Sequence, residues 1–195
     1  MPKTKSNDIN IYYEVHGKGF PLVMIMGLGG NVFQWDPTLI REMSKRYKTV
    51  IFDNRGAGRT EAPKIDYSPK MFADDTVRLM DELKMQKAHI LGLSMGGGIA
   101  QEIALSYPQR LEKLILCCTS CGESRYNPQP PELIDRIEKW IASWGAASPD
   151  EVAKSTIPFI MTEDFIKSNP DYVRHAIERL AKTPITADGR DRQAK

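Results

Sequence analysis

The sequence predicts an α/β fold: a mostly parallel sheet with helices on both faces, followed by a helical lid. Three observations predict it. Continuous apolar runs such as Pro21-Leu22-Val23-Met24-Ile25-Met26 read as strands buried on both faces. Helical stretches separate these runs, the order expected of parallel strands joined by crossovers. After about Gly122 the strands cease and only helical texture remains.

The chain opens with strand-like Thr4 to Ser6, a polar turn at Asn7-Asp8, then Ile9 to Val15 and the turn His16-Gly17-Lys18-Gly19, an antiparallel start to the sheet. The buried run to Met26 ends in Gly27-Leu28-Gly29-Gly30. A helix from about Trp35 to Lys45 precedes the strand Thr49-Val50-Ile51-Phe52, and Ser68-Pro69 supplies the cap and first-turn proline of a helix reaching Lys84. Next come the strand His89 to Leu93, a turn at Ser94, a helix from Gly97 to Ser106 and an apolar strand from Leu111 to Cys118. Residues 1–122 therefore form the core and residues 123–195 the lid. In the second section Pro128, Pro130 and Pro131 break the chain, Ser148-Pro149-Asp150-Glu151 forms a capping box, and Asn169-Pro170-Asp171 starts another helix. Trp140, Trp144, Phe159, Phe165 and Tyr172 either line an apolar pocket or pack helix on helix.

Composition narrows the partners. Over 195 residues, 41% hydrophobic and 27% charged content is that of a globular protein with one sizeable core, and one domain is the default. The net charge of +2 is spread over interspersed residues, with no footprint for nucleic acid or an anionic membrane, which leaves a small-molecule partner. Met1 to Asp8 lacks the apolar core of a signal peptide and no later run is long enough to span a bilayer, so a cytoplasmic address is expected. Cys117, Cys118 and Cys121 are an odd number in one stretch, matching neither a disulfide framework nor paired zinc ligands. Ordinary buried thiols are expected there.

Gly92-Leu93-Ser94-Met95-Gly96 has the pattern of a nucleophile elbow, in the required setting of apolar strand before and helix after. Gly92 and Gly96 are needed because side chains would collide in so tight a turn, and the strained backbone lifts the Ser94 hydroxyl above the sheet. The competing reading is a plain strand-to-helix turn. An attacking serine also needs donors for the oxyanion it creates, expected from the backbone N–H of Met95 and of Leu28, with Gly27 and Gly29 letting the second loop turn its amide toward the same point. Losing one such donor costs about 3 kcal/mol of transition-state stabilisation. A phosphate loop is the alternative for this stretch, but Val32 stands where the third glycine of Gly-x-Gly-x-x-Gly belongs and no Gly-Lys-Ser/Thr occurs.

Asp53-Asn54-Arg55-Gly56-Ala57-Gly58-Arg59-Thr60 resembles the Asp-x-Arg-Gly-x-Gly-x-Ser turn that follows the fourth strand of α/β-hydrolases. With the glycine loop before it and Gly-x-Ser-x-Gly-Gly after it, the chain to about Gly122 is similar to the esterase, cofactor-free haloperoxidase and 3-oxoadipate enol-lactonase branch of that superfamily. Met26 departs from the histidine many members carry there, and Thr60 replaces serine. The resemblance implies a serine hydrolase of small esters, lactones or related acyl substrates, acting through Ser94 with no metal and no cofactor. It implies structural, loop-bracing roles for Asp53 and Arg55, whose bland alternative is an exposed ion pair. An aspartate nucleophile, and with it dehalogenation, is disfavoured, while haloperoxidase-like side activity stays open.

The same resemblance implies an incomplete machine. The triad order is serine, acid, histidine, with the last two on loops after later strands, and no such strands follow residue 182. The expectation is a C-terminally truncated chain whose last apolar strand leaves an open edge, available to self-association or to a C-terminal fragment. Of the three histidines, His16 lies in the opening hairpin, and His89 is a strand length of about 16 Å from Ser94. Only His175, on a lid helix, has a route to the site. Glu123, where some relatives place the triad acid, reads as a loop charge. Removing a triad histidine costs on the order of 10⁶ in kcat, so the chain alone is expected to be nearly inactive. A non-catalytic binding or interaction module, or a truncated gene product, are the competing readings.

Overall fold

The computed structural model describes residues 3–6, 8–121, 130–144, 147–182, 189, 192 and 193. Six strands, β1 (Lys3–Ser6), β2 (Ile9–His16), β3 (Phe20–Ile25), β4 (Tyr47–Phe52), β5 (Ala88–Leu93) and β6 (Leu111–Cys117), form one sheet in the order β1-β2-β4-β3-β5-β6. β1 and β2 are antiparallel additions, β2 pairing with β4, whereas β4-β3, β3-β5 and β5-β6 are all parallel. The mostly parallel sheet expected from the apolar runs is present, and its centre is β3, buried from Leu22 onward.

Helices α1 (Pro37–Ser44), α2 (Pro69–Glu82) and α3 (Met95–Ser106) cover it. Strand side chains alternate between faces. Val23, Ile25, Val50, Phe52 and Ile90 pack against Phe72, Val77, Met80, Ile99 and Ile103 of α2 and α3. On the opposite face Leu22, Met24 and Ile51 meet Val32, Trp35 and Ile40 at and before α1. α1 begins two residues later than the periodicity suggested, because Asp36 caps it, its carboxylate accepting the N–H groups of Thr38 and Leu39. Ser68 caps α2 as expected, accepting from the Met71 amide. α3 starts earlier than expected, at Met95, since Ser94 itself is the turn.

Beyond the core the described residues form four helices and no strand: α4 (Pro131–Ser143), α5 (Pro149–Ile160), α6 (Glu163–Ser168) and α7 (Pro170–Ala181). The Ser148–Glu151 capping box closes in both directions at α5. No described helix is long and apolar enough to cross a membrane.

One expectation needs correction. The thiols are not buried: Cys118 and Cys121 are exposed and Cys117 is half-buried. The preceding strand, β6, ends at Cys117 and has only β5 as a neighbour among the described strands, leaving Leu114, Ile115 and Leu116 between 36% and 44% exposed. Arg55 takes the bracing role expected of it rather than the alternative of an exposed ion pair. It is 2% exposed and clamps Asp75 of α2 through Nε (2.5 Å) and Nη2 (2.8 Å), with Asp8 accepting a further bond at 3.1 Å. Burial works against the guanidinium charge, but bonding and attraction to Asp75 and then Asp8 outweigh it and hold the Arg55 pKa above its ordinary value. Truncating Asp75 to alanine strands a buried cation, so Asp75→Ala is expected to lower the unfolding free energy by about 3–5 kcal/mol in urea denaturation. A change below about 1 kcal/mol, the range of exposed pairs, would contradict this bracing role.

Candidate active site

Strand β5 runs through the centre of the parallel region and ends at Leu93, and the next residue does not continue it. Ser94 adopts φ 54° and ψ −120°, a left-handed bend that L side chains rarely enter and that costs on the order of 1–3 kcal/mol. The bend is held on both sides. The Ser94 N–H donates to the Cys117 carbonyl of β6 at 2.9 Å, and its own carbonyl accepts from Gly97 at 2.8 Å and Gly98 at 3.3 Å. A Cβ on Gly92 would sit on the Gly96 carbonyl, and one on Gly96 would sit on the Ile25 carbonyl. These glycines permit the bend, and the Ser94 side chain is exposed at its crest.

The glycine loop after β3 lies directly beside it. A Cβ placed on Gly27 would be 3.2 Å from Ser94 Cβ and 3.7 Å from Ser94 Oγ. Gly30 closes the loop by donating to the Gly27 carbonyl at 3.0 Å, and Gly29 sits at φ 65°. Among the described residues neither the Leu28 nor the Met95 amide donates to a protein acceptor. Gln193 secures the loop from outside: its Oε1 accepts the Gly29 N–H at 2.7 Å while its Nε2 donates to the Arg55 carbonyl at 2.6 Å. No motif announced Gln193, since a lone glutamine far along the chain carries no pattern.

Asp53 ties the loops together. Fully buried, it accepts the Val32 amide on Oδ1 and the Arg59 amide on Oδ2, both at 2.8 Å. Burial pushes its carboxyl above the usual range, against the opposing pull of these amides and the Arg59 guanidinium. That guanidinium lies 3.4 Å over the Tyr12 ring and 4.6 Å from the Phe33 ring centre. Thr60 keeps the role of a hydroxyl here, donating to the Asp53 carbonyl and accepting the Tyr12 amide. Met26 contributes a buried side chain and a carbonyl that accepts from Asn54 Nδ2 at 3.0 Å.

The histidines do not join the serine. His16 pairs with Glu14 at 3.1 Å on β2. His89, at the opposite end of β5, packs against the rings of Phe20 and Tyr47. His175 is exposed on α7 and makes no hydrogen bond to Ser94, whose hydroxyl has no partner among the described residues. Glu123 lies outside the described residues. α7 instead anchors on Asp36, which accepts from Tyr172 Oη at 2.5 Å and faces Arg179 at 3.6 Å. Burial works against that carboxylate, but hydrogen bonds from Tyr172, Thr38 and Leu39 and the Arg179 charge hold its pKa below the usual range.

Three cavities are lined by described residues away from the bend. One of about 710 Å³ opens between β2, α1 and Arg179, one of about 890 Å³ between α4, α5 and α6, and one of about 450 Å³ between α5 and α7. None is lined by Ser94, Leu28 or Met95. The aromatics of α4 to α7 mainly pack on one another: Trp140 stacks on Phe159 and meets Trp144 edge-on, and Phe165 meets Tyr172 edge-on. Trp140 and Phe159 also line the 890 Å³ cavity. Among the described residues no cluster of His, Cys, Asp and Glu is placed to hold a metal ion.

A serine lifted off a central parallel strand by a Gly-x-Ser-x-Gly bend, with a glycine-rich strand-end loop beside it, marks a doubly covered α/β protein built around an elbow turn. The profile described as alpha/beta hydrolase fold matches residues 21–154, and the chain belongs to that family. The RutD protein of Caulobacter sp. strain K31, named provisionally as a carbamate hydrolase, is 36% identical over 91% of this chain and 72% of its own. Its counterpart in Azorhizobium caulinodans is 33% identical over 60% of this chain and 43% of its own. A protein of Mycobacterium tuberculosis H37Rv, named provisionally as the non-heme bromoperoxidase BpoC, is 34% identical over 65% of this chain and 50% of its own. The chain thus spans from under half to under three quarters of the length of these relatives. Among solved structures, the enol-lactonase of Burkholderia xenovorans LB400 superposes with a TM-score of 0.77 at 24% identity, covering 99% of this chain and 72% of that one. The meta-cleavage product hydrolase CumD of Pseudomonas fluorescens IP01 gives 0.76 at 22% identity, covering 100% and 70%.

Two substitutions test the crowding at the bend. Gly96→Ala drives a methyl into the β3 backbone and is expected to cost about 2 kcal/mol or more, whereas Gly98, with open space around its Cβ position, should gain about 0.5–1 kcal/mol as alanine. Urea denaturation of the pair reads both signs, and equal effects would contradict the geometry.

Proposed function

We propose that this chain carries the nucleophile and oxyanion-binding part of a serine hydrolase acting on a small ester, lactone or related acyl substrate. The observation that carries the reading is the exposed Ser94 hydroxyl on a left-handed bend, with the Gly27 loop against it and two amides free to donate. Ser94 Oγ adds to the substrate carbonyl, and the carbonyl oxygen takes up the negative charge between the Leu28 and Met95 N–H groups. Collapse of the tetrahedral species expels the alcohol or amine and leaves an acyl-serine, which water cleaves by the same route in reverse. The names of the relatives, covering carbamate, enol-lactone and meta-cleavage hydrolysis, support an acyl carbonyl as the common target.

Proton transfer is the step the described residues do not serve. With no imidazole at Ser94, oxyanion donors and binding retain roughly 10³ to 10⁴ of rate enhancement over water. We assign the general base and its acid to chain that would pair with the exposed β6 edge, either a C-terminal continuation or a separate piece, with self-association as the other way to cover that edge. Helices α4 to α7 serve as the lid.

A non-catalytic binding module is the second reading, favoured by the absence of a histidine contact to Ser94. Fluorophosphonate labelling separates the two. The activated probe should modify Ser94 slowly in the chain and faster once a histidine-bearing partner segment is supplied, with no labelling in Ser94→Ala. A correctly folded protein that binds an acyl ligand, shown by a rise in Tm that survives Ser94→Ala, yet never takes the label, would establish the binding module instead.

A further inference from the structure

Strand β6 ends beside the bend at Cys117, and the chain continues as Cys118-Thr119-Ser120-Cys121. Within it Cys118 and Cys121 are separated by two residues, the spacing of dithiols that close on themselves, and both are exposed. Cys118 sits at φ 50°, where non-glycine residues are uncommon. Three of these five residues strap the elbow. The Cys117 carbonyl accepts the Ser94 N–H at 2.9 Å, the Thr119 side chain fills the space a Gly97 Cβ would need, and the Ser120 carbonyl accepts from Gln101 Nε2 at 2.8 Å.

We propose that the Cys118–Cys121 pair is an oxidation site, converted to an intramolecular disulfide by exchange with a low-molecular-weight disulfide, and that closure loosens the strap on the Ser94 bend. One protein thiolate attacks a sulfur of the small disulfide, whose S–S bond breaks, and the first small thiol leaves with a proton from solvent. The second protein thiolate then attacks the mixed disulfide and expels the second small thiol. Two protein S–H groups are oxidised to one S–S bond, and one small disulfide is reduced to two thiols. Closure requires the two Cα atoms to lie within about 4.4–6.8 Å. Thr119 and Ser120, which adopt no regular turn, must fold into one, and that draws Thr119 off Gly97 and the Ser120 carbonyl off Gln101.

The coupling to Ser94 rests on the proposed function; the thiol chemistry does not. Incubation of the full chain with oxidised glutathione should reduce its three free thiols to one, with loss of two hydrogens in the intact mass and a Cys118–Cys121 cross-link in the peptide map. Cys117→Ser should retain the cross-link, whereas Cys118→Ser and Cys121→Ser should stop at the mixed disulfide. Three surviving thiols, or a cross-link through Cys117, would overturn the assignment. Oxidation should also speed hydrogen exchange at the Ser94 amide and slow fluorophosphonate labelling by about tenfold, the equivalent of about 1.4 kcal/mol of lost positioning, reversed by dithiothreitol. Unchanged exchange in the cross-linked protein would refute the coupling. Failure of the reduced protein to label even with a partner segment would count against the hydrolase reading and leave the thiol result standing.

Discussion

Everything near the candidate site depends on one constraint, the refusal of space around the β5–α3 junction. A serine in a left-handed bend is unfavourable by itself, and it persists because β3 and β6 hold it from either side while Gly92 and Gly96 leave backbone touching backbone. The parallel pairing of β3, β5 and β6 supplies those walls. Strain of this kind is bought with the stability of the surrounding sheet, which is why the bend sits at the centre of the parallel region.

The loops around that bend are braced by buried charge. Asp53 spans the chain after the glycine loop and the turn after β4, and Arg55 reaches across to α2 through Asp75. Asp53 accepts two backbone amides and Arg55 bonds two carboxylates through Nε and Nη2, the pairing that offsets the cost of burying ions, while its buried Nη1 has no partner among the described residues. The two residues belong to one short segment but serve different neighbours.

Most of the core was legible in the sequence because its signals are local. The apolar run Leu22–Met26, the Ser68-Pro69 cap, the Ser148–Glu151 box and the glycines around Ser94 each carry their conformational reason within a few residues. What was not legible depends on contacts between distant segments. Cys118 and Cys121 are exposed because the strand ends at Cys117, short of them, a boundary that strand composition does not report. The Gln193 bridge joins residues 164 positions apart. The first residue of α1 had a readable signal in Asp36-Pro37, a cap followed by a first-turn proline, but apolar periodicity alone placed the helix start too early.

Asp36 does more than start a helix. One carboxylate accepts the first amides of α1 and also the phenol of Tyr172 on α7, so the helical section is moored to the core through a helix cap. Because its proton is bound less tightly in the folded state than in the open chain, this mooring contributes fully at neutral pH and fades only as acidity carries it through its depressed titration point. Acid would therefore weaken the front of α1 and its link to α7 together, since one carboxylate serves both.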